Sequence, residues 1–366
     1  MNLIGMQLQE KKNKILVICP HPVGYVPGQR LKFEQYFKNW EVAGYEVTVS
    51  PFMSEDMQNV VYKKGFILVK ILWTLNGYIR RYIGLFTIRQ YDIIYLFLWG
   101  TPFGLPIFEW FVRKLSRKLI YDLDDMVHLG NTSEHNRIIK GLKSTKKVKF
   151  LAKNSNHIIT STPKLVEFLN NYGSNISLIP ATIDTNRYKP LIQEETKEIC
   201  IGWSGSHTTS KYLHLLDDVL KNISNKYPVK ILVMGDPFFE IKGLKNLELI
   251  NWSAENELSN LQKFSIGLHP LPDEEWVYGK SGGKLVQYMA VGIPTIATAI
   301  GPNYDAIKEG YNGFLVKSEQ EWIDKLELLI LNQNLRRTMG LNARNFAVEN
   351  FSLESNSEKY LTALRS

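Results

Sequence analysis

The chain has 366 residues, enough for two domains of roughly 150–200 residues each. It is 44% hydrophobic and 22% charged, the balance of a soluble globular protein, which excludes a disordered or fibrous chain. Its two cysteines, Cys19 and Cys200, sit in separate apolar runs, which excludes a disulfide or zinc framework and suits a reducing, cytoplasmic setting.

The net charge of +8 is unevenly divided. Residues 1–190 hold 26 Lys+Arg against 14 Asp+Glu, while residues 191–366 hold 18 against 22. Such a split points the N-terminal half toward an anionic partner. No nucleic-acid-binding motif accompanies it, so no nucleic-acid partner is expected. Residues 1–13 read as a loose polar tail without a basic-then-apolar leader pattern.

The first buried strand is expected at Lys14 to Cys19. The loop Pro20 to Arg30 follows, then a helix from about Leu31 to Val42 and a strand at Tyr45 to Val49. This is the opening βαβ of a doubly wound α/β domain. The turn lacks Gly-x-Gly-x-x-Gly, so no dinucleotide cofactor is expected there. Residues 60–90 interleave Phe66, Leu68, Leu72 and Ile79 with Lys63, Lys64, Lys70, Arg80 and Arg81. No uncharged run reaches the ~18 residues of a span, and Gly100, Pro102, Gly104 and Pro106 break the apolar stretch that follows. Two readings of 60–90 stand: an interfacial segment on a membrane surface, or core helices with solvated charges.

Leu119 to His128 is a strand ending in Asp122, Asp124, Asp125 and His128. Carboxyl ends of strands face the ligand crevice in such sheets. The plain alternative is loop hydrogen bonding by aspartates, and a third is an oxygen-ligated Mg²⁺ or Mn²⁺ site. A basic helix over 140–153 leads to a strand at His157, and Ile176 to Ile179 closes this half. The second half opens with the strand Ile199 to Trp203 and the turn Ser204-Gly205-Ser206. Further strands are expected at Val229 to Met234, Leu247 to Ile250, and from Ile266. A core position is expected for Trp252.

Lys280-Ser281-Gly282-Gly283-Lys284 then runs into a short helix through Gln287, stopped by Gly292 and Pro294. The glycines admit a close ligand, and the helix N-terminus with two lysines suits a phosphate. An ordinary helix-to-strand unit with solvated lysines fits the same residues. Helices are expected over 319–331, 333–348 and 352–365.

Met289-Ala290, Gly292 and Pro294 resemble the Glu-Ala-Met-Ala-x-Gly-x-Pro run of family 4 glycosyltransferases, and Gly282 matches the glycine of that family's Glu-Gly-Phe-Gly loop. Gly310-Tyr311-Asn312-Gly313-Phe314-Leu315 and Pro180 to Pro190 extend the resemblance, and Asp122 to Asp125 is similar to the Asp-x-Asp-Asp stretch of a bacterial subgroup. Gly279 and Gln287 stand where the family has its pair of glutamates. The resemblance implies a GT-B fold: an acceptor-side Rossmann-like domain over 1–190, a nucleotide-sugar domain over 191–345, and a last helix over 346–366 crossing back.

It implies sugar transfer with retention from a nucleotide-sugar to a glycan or lipid-linked acceptor, without a metal or other cofactor. The donor would be held by Ser204, Gly205, Ser206, Gly235, Lys280, Ser281, Gly282, Gly283 and Lys284, with Gln287 on the ribose. Gly28 and Arg30 would line the cleft, with Asp124, Asp125 and His128 on the acceptor side. The nucleobase would lie by Asn251 and Trp252. A nucleotide-sugar epimerase and a non-catalytic nucleotide-sugar-binding subunit share the same fold. The basic N-terminal half and the 60–90 stretch place the protein at the inner face of a membrane, attached peripherally.

Overall fold

A computed structural model describes residues 12–61, 63, 65–126, 145–191 and 198–366. The chain divides into two compact units. The first takes residues up to Thr160, Val166–Leu178 and Lys359–Ser366, and the second takes Ser161–Leu165 and Ile179–Glu358. Residues 179–190, counted with the first domain from the sequence, therefore belong to the second unit. Several bonds tie them there: on the helix Gln333–Phe351, Arg344 donates to the carbonyls of Thr185 (2.7 Å), Tyr188 (2.6 Å) and Ala290 (2.7 Å), and Ile183 N–H donates to Phe351 C=O at 2.9 Å.

The first unit is built on a parallel sheet of β1 (Asn13–Cys19), β2 (Tyr45–Pro51), β3 (Ile93–Phe97), β4 (Lys118–Leu123), β5 (His157–Thr160) and β6 (Ile176–Leu178), in the spatial order β2-β1-β3-β4-β5-β6. The apolar runs of β1, β3 and β4 are buried almost throughout, as strands covered on both faces must be. Phe33 and Trp40 pack on Tyr95, with ring centroids 5.4 Å apart in each pair. Where one helix was expected after Leu31, the segment forms a short helix Pro27–Arg30, a 3₁₀ turn Glu34–Tyr36 and a helix Phe37–Val42. The winding direction reverses between β1 and β3, which opens a crevice at the carboxyl ends of those strands.

The second unit carries β7 (Ile199–Ser204), β8 (Val229–Met234), β9 (Leu247–Ile250), β10 (Ile266–His269), β11 (Thr295–Thr298) and β12 (Gly313–Val316), all parallel, in the order β12-β11-β10-β7-β8-β9. Relative to the first strand this is the 3-2-1-4-5-6 order of dinucleotide-binding sheets, with its switch point between β7 and β10. Ile201, Trp203, Ile231, Leu268, Ile296 and Leu326 fill its core.

The 60–90 stretch departs most from expectation. It folds as a helix, Ile67–Gly84, followed by a 3₁₀ turn, Leu85–Gln90. Arg81, read as a surface charge, is buried inside the first unit. Its guanidinium donates to the carbonyls of Cys19 (2.8 Å), Ser50 (2.7 Å) and Gly100 (2.9 Å), and to the Ser50 hydroxyl (2.9 Å). It thereby adds a donor to the carbonyls where β1 and β2 end, of which that of Cys19 also accepts from Phe52 N–H at 2.8 Å. Burial lowers its pKa to about 10, so it stays cationic at neutral pH. Arg80 likewise turns one nitrogen back to the carbonyl of Phe52, at 2.7 Å.

Candidate functional site

At the second unit's switch point, β7 ends in Ser204 and is followed by Gly205. The Ser204 N–H donates to the Tyr288 hydroxyl at 2.7 Å, and Gly205 N–H donates to Met234 C=O at 2.9 Å. Gly235 has φ +101°, and a Cβ there would lie 2.1 Å from the Gly205 carbonyl oxygen. Only a glycine fits both the left-handed backbone and that approach. The two turns at the ends of β7 and β8 are thus pressed together into a floor of bare backbone.

Facing this floor is the helix Gly283–Ala290. Gly282 enters it with φ +68°, and no side chain caps its first N–H groups. At the other end Gly292 N–H reaches Met289 C=O and Ile293 N–H reaches Tyr288 C=O, both at 3.0 Å, which stops the helix before Pro294. The Lys284 ammonium sits 2.6 Å from the position a Gly205 Cβ would take, 3.4 Å from Thr209 Oγ1 and 4.3 Å from the centre of the Trp203 indole. Among the described residues no carboxylate pairs with it. The side chain keeps partial access to solvent, yet crowding around the ammonium pushes its pKa down to about 7, and neighbouring Lys280 adds to this. A concentrated positive charge without a counterion, at an uncapped helix N-terminus, is the arrangement an anion fills.

Gln287, 5% exposed on the same helix, has an Nε2 with no hydrogen bond to any described protein group. A buried donor left open at a crevice suits a ligand oxygen. His269 ends β10. Its Nδ1 lies 3.0 Å from Asn303 Oδ1, while Asn303 Nδ2 donates to Thr298 C=O at 2.8 Å. The amide oxygen must therefore accept, so the His269 proton is on Nδ1. Burial, with Lys284 adding, pushes His269 down to about 3, and the ring is neutral. Lys280 lies over the Trp276 ring at 5.4 Å. Ser206 turns to Thr208 (2.8 Å), and Ser281 flanks the glycine pair. Trp252, expected in the core, is 38% exposed, since its Nε1 is drawn to Glu257 at 2.8 Å and its Cβ lies 3.7 Å from where a Gly235 side chain would start.

In the first unit, Asp122 lies inside β4 and is fully buried. The Tyr95 hydroxyl donates to it, and Lys32, also buried, places its ammonium 3.7 Å from Asp122 and 3.9 Å from Asp124. Burial raises the Asp122 pKa and Lys32 pulls it back. Asp124 follows the strand with its side chain 11% exposed, and a Cβ on Gly28 would lie 4.0 Å from its Oδ2. The Pro20 to Arg30 loop and the end of β4 therefore meet. Arg30, partly buried, is close enough to lower the pKa of Glu34, although burial raises it overall. Asp125 turns to its own neighbour, accepting from Met126 N–H at 2.7 Å. His128 lies outside the described residues. Among the described residues, no group of three or more His, Cys, Asp or Glu is arranged to hold a metal ion.

Lys32, Thr209, Trp203, His269 and Tyr288 were not singled out from the sequence. Nothing in the local pattern separates a buried Lys32 from a surface lysine.

Residues 278–346 match the family described as Glycosyl transferases group 1. The capsular polysaccharide biosynthesis glycosyltransferase CapM of Staphylococcus aureus is 24% identical over 263 residues, 67% of this chain and 62% of that protein. The chain spans 43% to 62% of the length of the curated relatives it matches. Sucrose-phosphate synthase of Thermosynechococcus elongatus aligns with a TM-score of 0.71 at 16% identity, over 97% of this chain and 98% of the other. HepE of Anabaena, in complex with UDP, aligns with a TM-score of 0.65 at 17% identity, over 97% and 99%. With the two six-stranded parallel sheets, these likenesses establish the GT-B fold.

Proposed function

We propose that the chain is a glycosyltransferase that moves a sugar from a nucleotide-sugar donor to an acceptor hydroxyl in polysaccharide synthesis. The observation that carries this reading is Lys284. Its ammonium has no counterion among the described residues and stands over the glycine floor at the entrance of the helix Gly283–Ala290. A leaving diphosphate develops negative charge as the glycosidic bond breaks, and a preorganised cation with free backbone donors stabilises it. In this reading Lys284 and Gly282-Gly283 take the diphosphate, and Lys280 adds long-range charge. The open Nε2 of Gln287 meets a ribose hydroxyl, and Trp252 borders the base.

Neutralisation by these groups makes a metal unnecessary. Retention is carried by the resemblance, and the glycine at 279, where a carboxylate would be needed for double displacement, favours departure and attack on one face as its route. Asp124 and Asp125 serve the acceptor.

A thermal-shift panel of UDP, GDP, dTDP, CMP and their sugars tests the donor half, because a ligand bound only to the native state stabilises it. UDP heads the panel because HepE binds it. No shift with any nucleotide would overturn the reading. Isomerised sugar formed from the donor alone would make the enzyme an epimerase.

Lys284→Ala is expected to weaken diphosphate binding by about 1.5–3 kcal/mol, the range of a charge-assisted hydrogen bond. The pH dependence follows from the lowered pKa of about 7 in the free protein. Bound diphosphate favours the ammonium, so its pKa rises in the complex. Below pH 7 the group is already charged and affinity is pH-independent. Above it, binding must draw in a proton, and affinity falls as pH rises toward the bound-state pKa. Titration calorimetry at pH 8 in buffers of different ionisation enthalpy should register proton uptake that Lys284→Ala abolishes. Unchanged affinity in the folded variant would place the phosphate elsewhere.

A further inference from the structure

The helix Ile67–Gly84 is amphipathic in the inverted sense. Its inward side carries Gly77, Tyr78 and Arg81. A Cβ on Gly77 would lie 2.7 Å from the Phe52 ring, so the helix is seated as closely as a helix can be. Tyr78 donates to Phe103 C=O at 3.0 Å, and Arg81 adds its four bonds. The outward side is Leu68, Leu72, Leu75, Ile79 and Ile83, continued by Phe86 in the turn that follows. These side chains are between 54% and 88% exposed. The spacing of four, three, four, four and three residues keeps them in one stripe. Beside the turn packs the helix Ile107–Leu115, which exposes Trp110 (45%) and Phe111 (39%). An apolar surface this continuous is rare on a protein that meets only water.

We propose that this face lies in the interface of a bilayer containing anionic lipid, with the helix parallel to the membrane plane. The charges choose the occupant. Between Asp56 and Asp92 the chain has no Asp or Glu, and Lys63, Arg80 and Arg89 are exposed along the stripe, with Lys114 beside Trp110. A second copy of this chain would bring those like charges against each other, whereas anionic headgroups neutralise them. No helix among the described residues is long and apolar enough to cross a membrane, so the stripe lies on the surface instead. The buried anchors prevent the helix from rolling its stripe inward. This inference stands apart from the transfer reaction, and its test involves no sugar.

The full chain is sedimented with vesicles of phosphatidylcholine alone or mixed with phosphatidylglycerol. Partition onto the anionic vesicles is expected to exceed that onto neutral ones at least tenfold, since each basic residue near the surface contributes about fivefold. Half-molar salt should weaken it about tenfold or more. The double variant Leu72→Glu, Ile79→Glu replaces exposed side chains only and should melt as the parent does. Its partition should fall at least about tenfold, as charge on an interfacial apolar face requires. Equal and negligible binding of the parent to both vesicles at low salt would overturn the proposal. So would a parent dimer in light scattering that the double variant disperses, which would make the stripe a self-association face.

Discussion

Replacing Asp124 by asparagine is expected to lower turnover about 10²- to 10⁴-fold, the contribution of a positioned acid or base, while donor affinity stays within about twofold. Asp124 follows β4 directly, beside the loop of Gly28, with Lys32 3.9 Å away. It belongs to the first unit, whereas the Lys284 floor belongs to the second. Asparagine keeps the size and removes the charge, so a loss confined to turnover identifies the carboxylate as the group that acts. Asp125 is turned toward Met126, and Asp125→Asn should cost less. The outcome that sinks this assignment is a collapse of donor affinity that added Mn²⁺ alters, which would make the aspartates metal ligands. Activity that survives EDTA would count against a metal.

Arg81→Leu is expected to destabilise the first unit by about 3–5 kcal/mol, the cost of breaking a buried charged network. The carbonyls of Cys19, Ser50 and Gly100 lose the guanidinium at once, although that of Cys19 still accepts from Phe52 N–H at 2.8 Å. Leucine fills some of the volume but donates nothing, and each buried acceptor left open costs about 1–3 kcal/mol. Arg81→Lys should recover only part, because a single ammonium cannot reproduce the planar fork that reaches three carbonyls. Urea denaturation read unit by unit is the measurement, since two compact units need not unfold in one step. A change below about 0.5 kcal/mol, the size of an ordinary surface substitution, would show that these bonds are replaced by water.

Strands were the most legible part of the sequence. A central parallel strand is a short run buried on both faces, and Ile15 to Cys19, Tyr95 to Phe97 and Ile296 to Thr298 announce themselves by being apolar without alternation. The glycine-flanked lysine of 280–284 was also legible, because left-handed turns and helix stops have residue signatures. Which way a helix faces was not. The composition of 60–90 left both an interfacial segment and core helices open, and the choice of inward face rests on Arg81 and Tyr78 bonding to strand and loop carbonyls far along the chain. Buried charges were opaque for the same reason: Lys32 and Arg81 have partners more than fifteen residues away, and no local pattern encodes them. Trp252 misled because a tryptophan read alone weighs toward the core, while the structure leaves it 38% exposed with its Nε1 bonded to Glu257.

The end of the chain has a consequence for biosynthesis. Tyr360 packs tilted against Tyr36 at 4.4 Å between ring centroids and lies against Trp40 at 5.9 Å, Lys118 Nζ donates to Leu364 C=O at 2.6 Å, and Ser366 Oγ reaches His157 at 2.8 Å. The residues that finish the first unit's core are thus translated after the second unit. While the ribosome is still making the second unit, the first waits with an aromatic face open, exposed to chaperones and to aggregation. The second unit, by contrast, draws only on Ser161–Leu165 and Ile179–Glu358 and can close before the first. Order of synthesis and order of folding are therefore opposed. Refolding from denaturant, where the whole chain is present from the start, removes that delay.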